Sequence, residues 1–166
     1  MSAERKLNGL LNLTRRLRDE EKLDSILLAV VKAGMETVAA DHCSVRILSR
    51  GEALLSAARS GDGIMHNPAP FSKGEGVLGW VVEMGLPTKV DDTALDPRFV
   101  EKDEQGFGIG SMLAAPILSA GRVIGVLSVA AKSAHCFSDD DVLLLELVAN
   151  ASASSIAAAR VRRLTD

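Results

Sequence analysis

Two apolar runs in the last third of the chain constrain the fold more than any other feature. "SMLAAPIL" and "VIGVLSVAAK" are strand-like, and only "SAGR" separates them. So short a link joins antiparallel strands, because a parallel pair needs a crossover of roughly a dozen residues or more. A doubly wound parallel sheet is therefore not being built, and the other elements must assemble around an antiparallel hairpin.

That conclusion bears on the string Gly74-Glu75-Gly76-Val77-Leu78-Gly79, which satisfies G-x-G-x-x-G. A dinucleotide turn needs a strand feeding the first glycine, a long helix after the last, and an acidic residue on a second parallel strand. Here Pro68, Pro70 and a loop precede Gly74, and the apolar segment after Gly79 is short. The glycines are expected to release a loop into a short helix, "VLGWVVEM", which Gly85 and Pro87 stop.

The N-terminal part has helical periodicity. Leu7, Leu10, Leu11 and Leu17 fall on one stripe with Leu13 at its edge, and Arg16 points away to water. Over residues 20–39, Leu23, Ile26, Leu27, Val30, Val31, Met35 and Val38 recur at threes and fours. In "CSVRIL" the period changes to two. Cys43, Val45 and Ile47 alternate with Ser44 and Arg46, which predicts a strand with one buried face. "ALLSAARS" returns from a turn at "SRGE" as a second strand. "GDGIMHNPAPFSKGEG" is loop, "PTKV" a short strand, and "DDTALDPRFVEKDEQGFGIG" a long connection with a turn or two of helix around "PRFVEKDEQ".

Residues 138–163 form a long helix with a legible start. Ser138 is the N-cap, Asp141 closes a short-armed capping box, and Phe137 with Val142 forms a hydrophobic staple. Asp139, Asp140 and Asp141 suit the positive end of the helix dipole, and Arg160, Arg162 and Arg163 suit the negative end. The acidic run thus has a structural explanation and needs no metal. In "VLLLELVANASASSIAAARV" one stripe can cover the sheet while another meets a partner helix.

The chain has 166 residues, 47% hydrophobic and 25% charged, which fits one soluble globular domain. A net charge of −3 and 3% aromatics, with no Tyr, argue against nucleic acid as a partner. Neither a secretory leader nor a membrane span is expected, and two cysteines are too few for a disulfide framework, so the cytoplasm is the expected compartment.

In this order, "GEGVLGWVVEMGLPTKVDD", "DPRF", "SMLAAPILSAGRVIGVLSVAAK" and "FSDDDVLLLELVANASASSIAAA" resemble the GAF domain family, small-molecule-sensing relatives of PAS domains. The resemblance covers roughly residues 20–160. It implies an α+β fold: an antiparallel sheet of five or six strands, N- and C-terminal helices on one face, and a roof of loops and short helices from residues 62–110 over a ligand cavity on the other. Residues 1–19 then form an N-terminal linker or dimerisation helix, 20–160 the GAF domain, and 161–166 a tail or signalling linker. Helical ends in this family usually make a parallel dimer bundle that relays a state to an output such as a histidine kinase, cyclase or phosphodiesterase.

Since fold does not dictate function, each activity of the family is weighed against these residues. Cyclic-nucleotide-binding members look like N-K followed by F-x-x-x-D-E near the last strand and helix. Lys132, Phe137 and Asp141 match, whereas Ala131 and Val142 depart. "FVEKDE", Phe99 to Glu104, also spells F-x-x-x-D-E, but in the roof. The free methionine sulfoxide reductases of the family look like G-V-C-G where Gly76-Val77-Leu78-Gly79 stands, so Leu78 replaces their cysteine. Bilin-type binding lacks a roof cysteine, and haem would have only His66 there. His42-Cys43 and His135-Cys136 allow a zinc site or a labile disulfide, but neighbouring strand residues point to opposite faces, and a buried apolar Cys43 fits better.

The expectation is therefore a non-catalytic sensory or regulatory domain for an unknown small molecule, with a pure dimerisation module with an empty pocket as the main alternative. The predicted ligand residues are Phe71, Trp80, Asp91, Asp92, Phe99, Phe107, Ser111 and Met112. No cofactor can be named.

Overall fold

The computed structural model describes residues 1–49, 52–60, 65–66, 74–100 and 108–165. Helices α1 (Ala3–Asp19) and α2 (Leu23–Thr37) lead into strands β1 (His42–Ser49), β2 (Glu52–Ser60) and β3 (Met65–His66). Then come α3 (Gly76–Met84), β4 (Thr88–Val90), β5 (Ser111–Ser119), β6 (Arg122–Ala131) and α4 (Asp139–Thr165). The six strands form one sheet in the order β3-β2-β1-β6-β5-β4, with every neighbour antiparallel. The short strand β3 falls in a segment expected to be loop throughout. At the other end of the roof, Pro97 and Arg98 form a turn and Phe99 and Val100 are not helical, while the rest of the segment in which a turn or two of helix is expected lies outside the described residues.

The hairpin that organises the sheet closes through a two-residue turn. Ala120 and Gly121 carry φ of 51° and 76°, the left-handed pair that matches strand twist. Pro116 sits inside β5 without costing a ladder bond, because β4 pairs only with Met112–Ala114 and leaves that edge open at Pro116.

Residue parity then sorts the sheet into two faces. Cys43, Val45 and Ile47 of β1, Leu113, Ala115 and Ile117 of β5, and Leu127 and Val129 of β6 meet the helices in one apolar core. Into it α2 puts Ile26, Leu27, Val30 and Val31, and α4 puts Leu145, Val148, Ala149 and Ile156. Gly34 of α2 brings that helix hard against β1: a β-carbon there would lie 2.6 Å from Cys43 Sγ.

Two expectations change here. On α1 the buried face is Gly9, Leu13 and Leu17, with Leu10 packed beside it, while Leu7 and Leu11 are exposed. Leu13, expected at the edge, is fully buried because α1 docks through Gly9, whose Cα side faces Glu36 Cβ and Thr37 Cγ2 of α2 at 3.0 Å from an added β-carbon. A leucine-weighted stripe cannot register a contact that depends on a missing side chain. Second, β1 is buried on both faces: Arg46, expected on a solvated face, is 9% exposed.

The start of α4 forms as expected. Asp141 N donates to Ser138 Oγ at 3.2 Å, and Ser138 N donates to Asp141 Oδ2 at 2.9 Å, so the box is reciprocal. Phe137 and Val142 both join the helix-side core. The helix is long and apolar enough to match a membrane span by composition, but its inner stripe packs against β5 and α2, as a core helix does.

Candidate functional site

The second face of the sheet carries Ser44, Arg46 and Leu48 of β1, Val126, Ser128 and Ala130 of β6, and Met112 and Ala114 of β5. Helix α3 lies across β5 and β6 on this side. Its Val81 and Val82, with Leu78 and Trp80, pack on Leu48, Ala114 and Val126. Val77 and Leu78 pack on Val90, Met112, Ala130, Phe99 and Ile109. Gly74 and Gly76 lead into this helix with φ of 80° and 69°, a left-handed conformation that L-residues with side chains rarely adopt. The opening G-x-G-x-x-G string is thus the hinge that lays α3 over the sheet.

Between these apolar walls lies a polar strip on the central strands. Ser44 and Ser128 are register partners, and their hydroxyls meet at 2.8 Å. Arg46 Nη1 donates to Ser44 Oγ at 2.9 Å. Burial pushes the Arg46 guanidinium down to about 10, which leaves it charged at neutral pH. Among the described residues it is the sole charged side chain that is buried. His42 follows the same parity on β1, and its Nε2 is a buried atom.

Of the predicted ligand residues, Trp80, Phe99 and Met112 come together on this side of the sheet. Trp80 has one ring face covered: the Arg98 guanidinium carbon stands 4.6 Å from its centroid. Arg98 is held there by Asp96 through Nε–Oδ1 and Nη2–Oδ2 bonds of 3.0 and 2.8 Å, and Nη2 also donates to Thr88 Oγ1 at 3.1 Å. The Arg98 bonds pull the Asp96 carboxyl below its usual range. The "DPRF" segment therefore serves as a clip that fixes Trp80 to β4.

Asp91, Asp92 and Ser111 lie elsewhere. Asp92 Oδ1 accepts from Ala94 N at 3.0 Å in a turn. Asp91 is exposed, and together with Asp139 it binds Lys89 Nζ, at 3.3 and 3.2 Å respectively. The Lys89 ammonium is raised by its hydrogen bonds to Asp139 and Asp91. Ser111 pairs with Ala131 on the helix-side parity, and its hydroxyl donates to Ser133 O at 2.7 Å. Phe71 and Phe107 lie outside the described residues, as does most of "FVEKDE".

Ser44, Arg46 and Ser128 were not foreseen as site residues. Their signal, polar residues at matched positions of neighbouring strands, appears only once the β1–β6 register is known.

Two of the three matches to the cyclic-nucleotide pattern are occupied structurally. Phe137 is buried in the helix-side core, and Asp141 holds the cap of α4. Cys43 is buried against Gly34, and burial raises its thiol to about 12, which makes it a poor nucleophile or metal ligand at neutral pH. His42 takes the opposite face of β1.

The profile of the GAF domain matches residues 20–157. The chain belongs to the GAF domain family. The fold agrees with solved members: the GAF domain of a Coxiella burnetii phosphoenolpyruvate-protein phosphotransferase has a TM-score of 0.82 at 25% identity, covering 99% of each chain. A free methionine-R-sulfoxide reductase from Neisseria meningitidis, solved with its substrate, shares the fold with a TM-score of 0.79 at 20% identity, over 98% of this chain and 95% of that one. In sequence, the Nif-specific regulatory protein of Azospirillum lipoferum is 32% identical over 90 residues. That alignment covers 48% of this GAF domain chain and 14% of the regulatory protein, so the chain spans a small part of its relative.

Proposed function

We propose that this GAF domain is a non-catalytic sensor of a cytoplasmic signal-transduction protein, binding a small molecule on the α3 side of its sheet and passing the bound state to an output domain. The observation that carries the reading is the polar strip of Ser44, Arg46 and Ser128, of which Arg46 and Ser128 are buried, on the sheet face that also carries the apolar contacts with α3. A domain whose only task was dimerisation would gain stability from apolar residues there, since burying a charge is costly. Trp80, Phe99 and Met112 supply the apolar contacts of the site.

The non-catalytic assignment rests on Leu78. It occupies the place at which the resemblance puts the reductases' cysteine, and it packs into both apolar clusters beneath α3. The relay runs through α4, which starts at the Lys89–Asp139 contact with β4 and carries exposed Leu143, Leu147 and Val161 along its outer side.

Native mass spectrometry of the freshly purified chain tests the reading. The expected result is a dimer that carries an additional non-covalent mass, released on denaturation. Chains bare of any adduct, with no small molecule raising the unfolding midpoint, would favour the empty dimerisation module. Turnover of free methionine sulfoxide with a thiol reductant would overturn the non-catalytic assignment.

A further inference from the structure

Helix α4 keeps its charges apart. From Asp139 to Glu146 its charged residues are all acidic, from Arg160 to Arg163 they are all basic, and residues 147–159 carry none. The helix dipole accounts for the first and last turns only, because its effect fades within a turn. Glu146 stands two turns inside the helix, and Arg160 more than one turn from its end. Both are half-buried, and neither has an ion-pair partner among the described residues. Their place on the helix is specific. Leu143, Leu147, Asn150, Ser154 and Val161 are exposed at steps of four and three, with half-buried Ala157 completing the seam. Glu146 and Arg160 each precede a seam residue, Leu147 and Val161, so they occupy the same flank two heptads apart. The seam also reads the same in reverse about Ser152: Leu143 mirrors Val161, Leu147 mirrors Ala157, and Asn150 mirrors Ser154.

We propose that two copies of the chain pair through α4 in the antiparallel sense, so that Glu146 of each lies against the partner's Arg160. The inference rests on the dimer expected above and adds its orientation, which is opposite to the parallel bundle that the family resemblance implies. In an antiparallel pair a flank faces the same flank of its neighbour, so the Glu146–Arg160 contact forms twice, once at each end of the seam. Apolar layers close the ends, with Leu143 against the partner's Val161, and a polar layer marks the middle, with Asn150 against the partner's Ser154. A parallel pair sets Glu146 opposite the partner's Ala151. It also gathers the two acidic ends at one side and the two basic ends at the other, and like charges brought together disfavour that arrangement.

Charge reversal in the full chain tests this. Glu146→Arg sets arginine against the partner's Arg160, and Arg160→Glu sets glutamate against the partner's Glu146. At low salt each reversal alone should weaken the dimer about tenfold, because two attractive contacts become repulsive, and high salt should shrink the difference. When the two variants are mixed, native mass spectrometry should find the heterodimer in excess of its statistical share, since only that pairing restores both contacts. Disulfide trapping reads the orientation directly. Chains carrying Leu143→Cys or Val161→Cys, each with Cys136→Ser to remove the exposed thiol, should cross-link when mixed and not alone. The two positions lie about 27 Å apart along the helix, so a parallel pair gives the reverse pattern.

Cross-linking of Leu143→Cys with itself overturns the proposal, as does a mixture of the reversed variants with no excess of heterodimer. An unaltered chain that is monomeric at every concentration overturns it as well, and α4 is then covered by something other than a second copy. None of these outcomes touches the sensor reading, which the retained mass in native spectra decides separately. Should a reversed variant fail to fold, the cross-linking pattern, obtained with Glu146 and Arg160 both in place, is decisive by itself.

Discussion

At the scale of single residues, the Gly34–Cys43 contact shows how tightly the helix layer is fitted to the sheet. A β-carbon on Gly34 would lie 2.6 Å from Cys43 Sγ, with Val129 Cγ1 at 4.0 Å behind it. Gly34→Ala should therefore destabilise the domain by about 1–3 kcal/mol, the usual cost of overpacking, as read from urea midpoints. Adding Cys43→Ala should restore much of the loss, because it removes the clashing sulfur; simple additivity in that double-mutant cycle would show the clash is not the cause. The same thiol makes a pH prediction. Its value rises by burial from 9.0 to about 12, so between those limits the unfolded chain has lost a proton that the folded chain keeps. Stability should fall as pH rises across that window, and more steeply than in Cys43→Ala; parallel profiles of thermal midpoint against pH would refute this. Cys43 was legible in the sequence through its alternation with Val45 and Ile47. Arg46 was not, because alternation alone reads as a strand with one solvated face. The polar members of such a strand are indistinguishable from surface residues until the layer covering them is known.

At the scale of elements, legibility follows how local the determining interaction is. The hairpin turn, the α3 stop at Gly85 and the capping box of α4 all depend on residues a few positions apart, and the sequence shows each of them. α1 is the contrary case. Its docking face is chosen by Gly9 meeting Glu36 and Thr37 of α2, a contact made by an absent side chain, so the leucine stripe pointed elsewhere. "DPRF" is intermediate: the turn at Asp96 is local, but the stacking of Arg98 on Trp80 needs the fold. The cap of α4 gives a quantitative check. Ser138→Ala removes the acceptor for Asp141 N and should cost about 1 kcal/mol. Ser138→Asp should recover most of it, since aspartate is also a good cap. If both variants unfold at the wild-type urea midpoint, the box contributes nothing to holding α4 on the sheet.

At the scale of the whole molecule, the helix layer has an inner and an outer surface, and only the inner one is accounted for by the sheet. On the outer side, Leu143 and Leu147 of α4 are 60% and 51% exposed, and Val161 is 62% exposed. Asn150 and Ser154, also exposed, continue the same steps of three and four residues, so a seam of heptad type runs along the helix. α1 adds Leu7 and Leu11 on its own outward face. Leaving such a stripe in water is unfavourable, while pairing it with a second copy buries it without disturbing the α3 side of the sheet. The seam is mixed, with Asn150 and Ser154 between the apolar residues, which suits a register-specific helix pair whose packing a signal can alter. The chain should therefore scatter light as a dimer at micromolar concentration, twice its 17.5 kDa. Leu143→Glu with Leu147→Glu should yield a folded monomer, because neither side chain belongs to the helix-side core. An unaltered chain that stays monomeric at every concentration, or a double variant that remains dimeric, would remove α4 as the pairing surface.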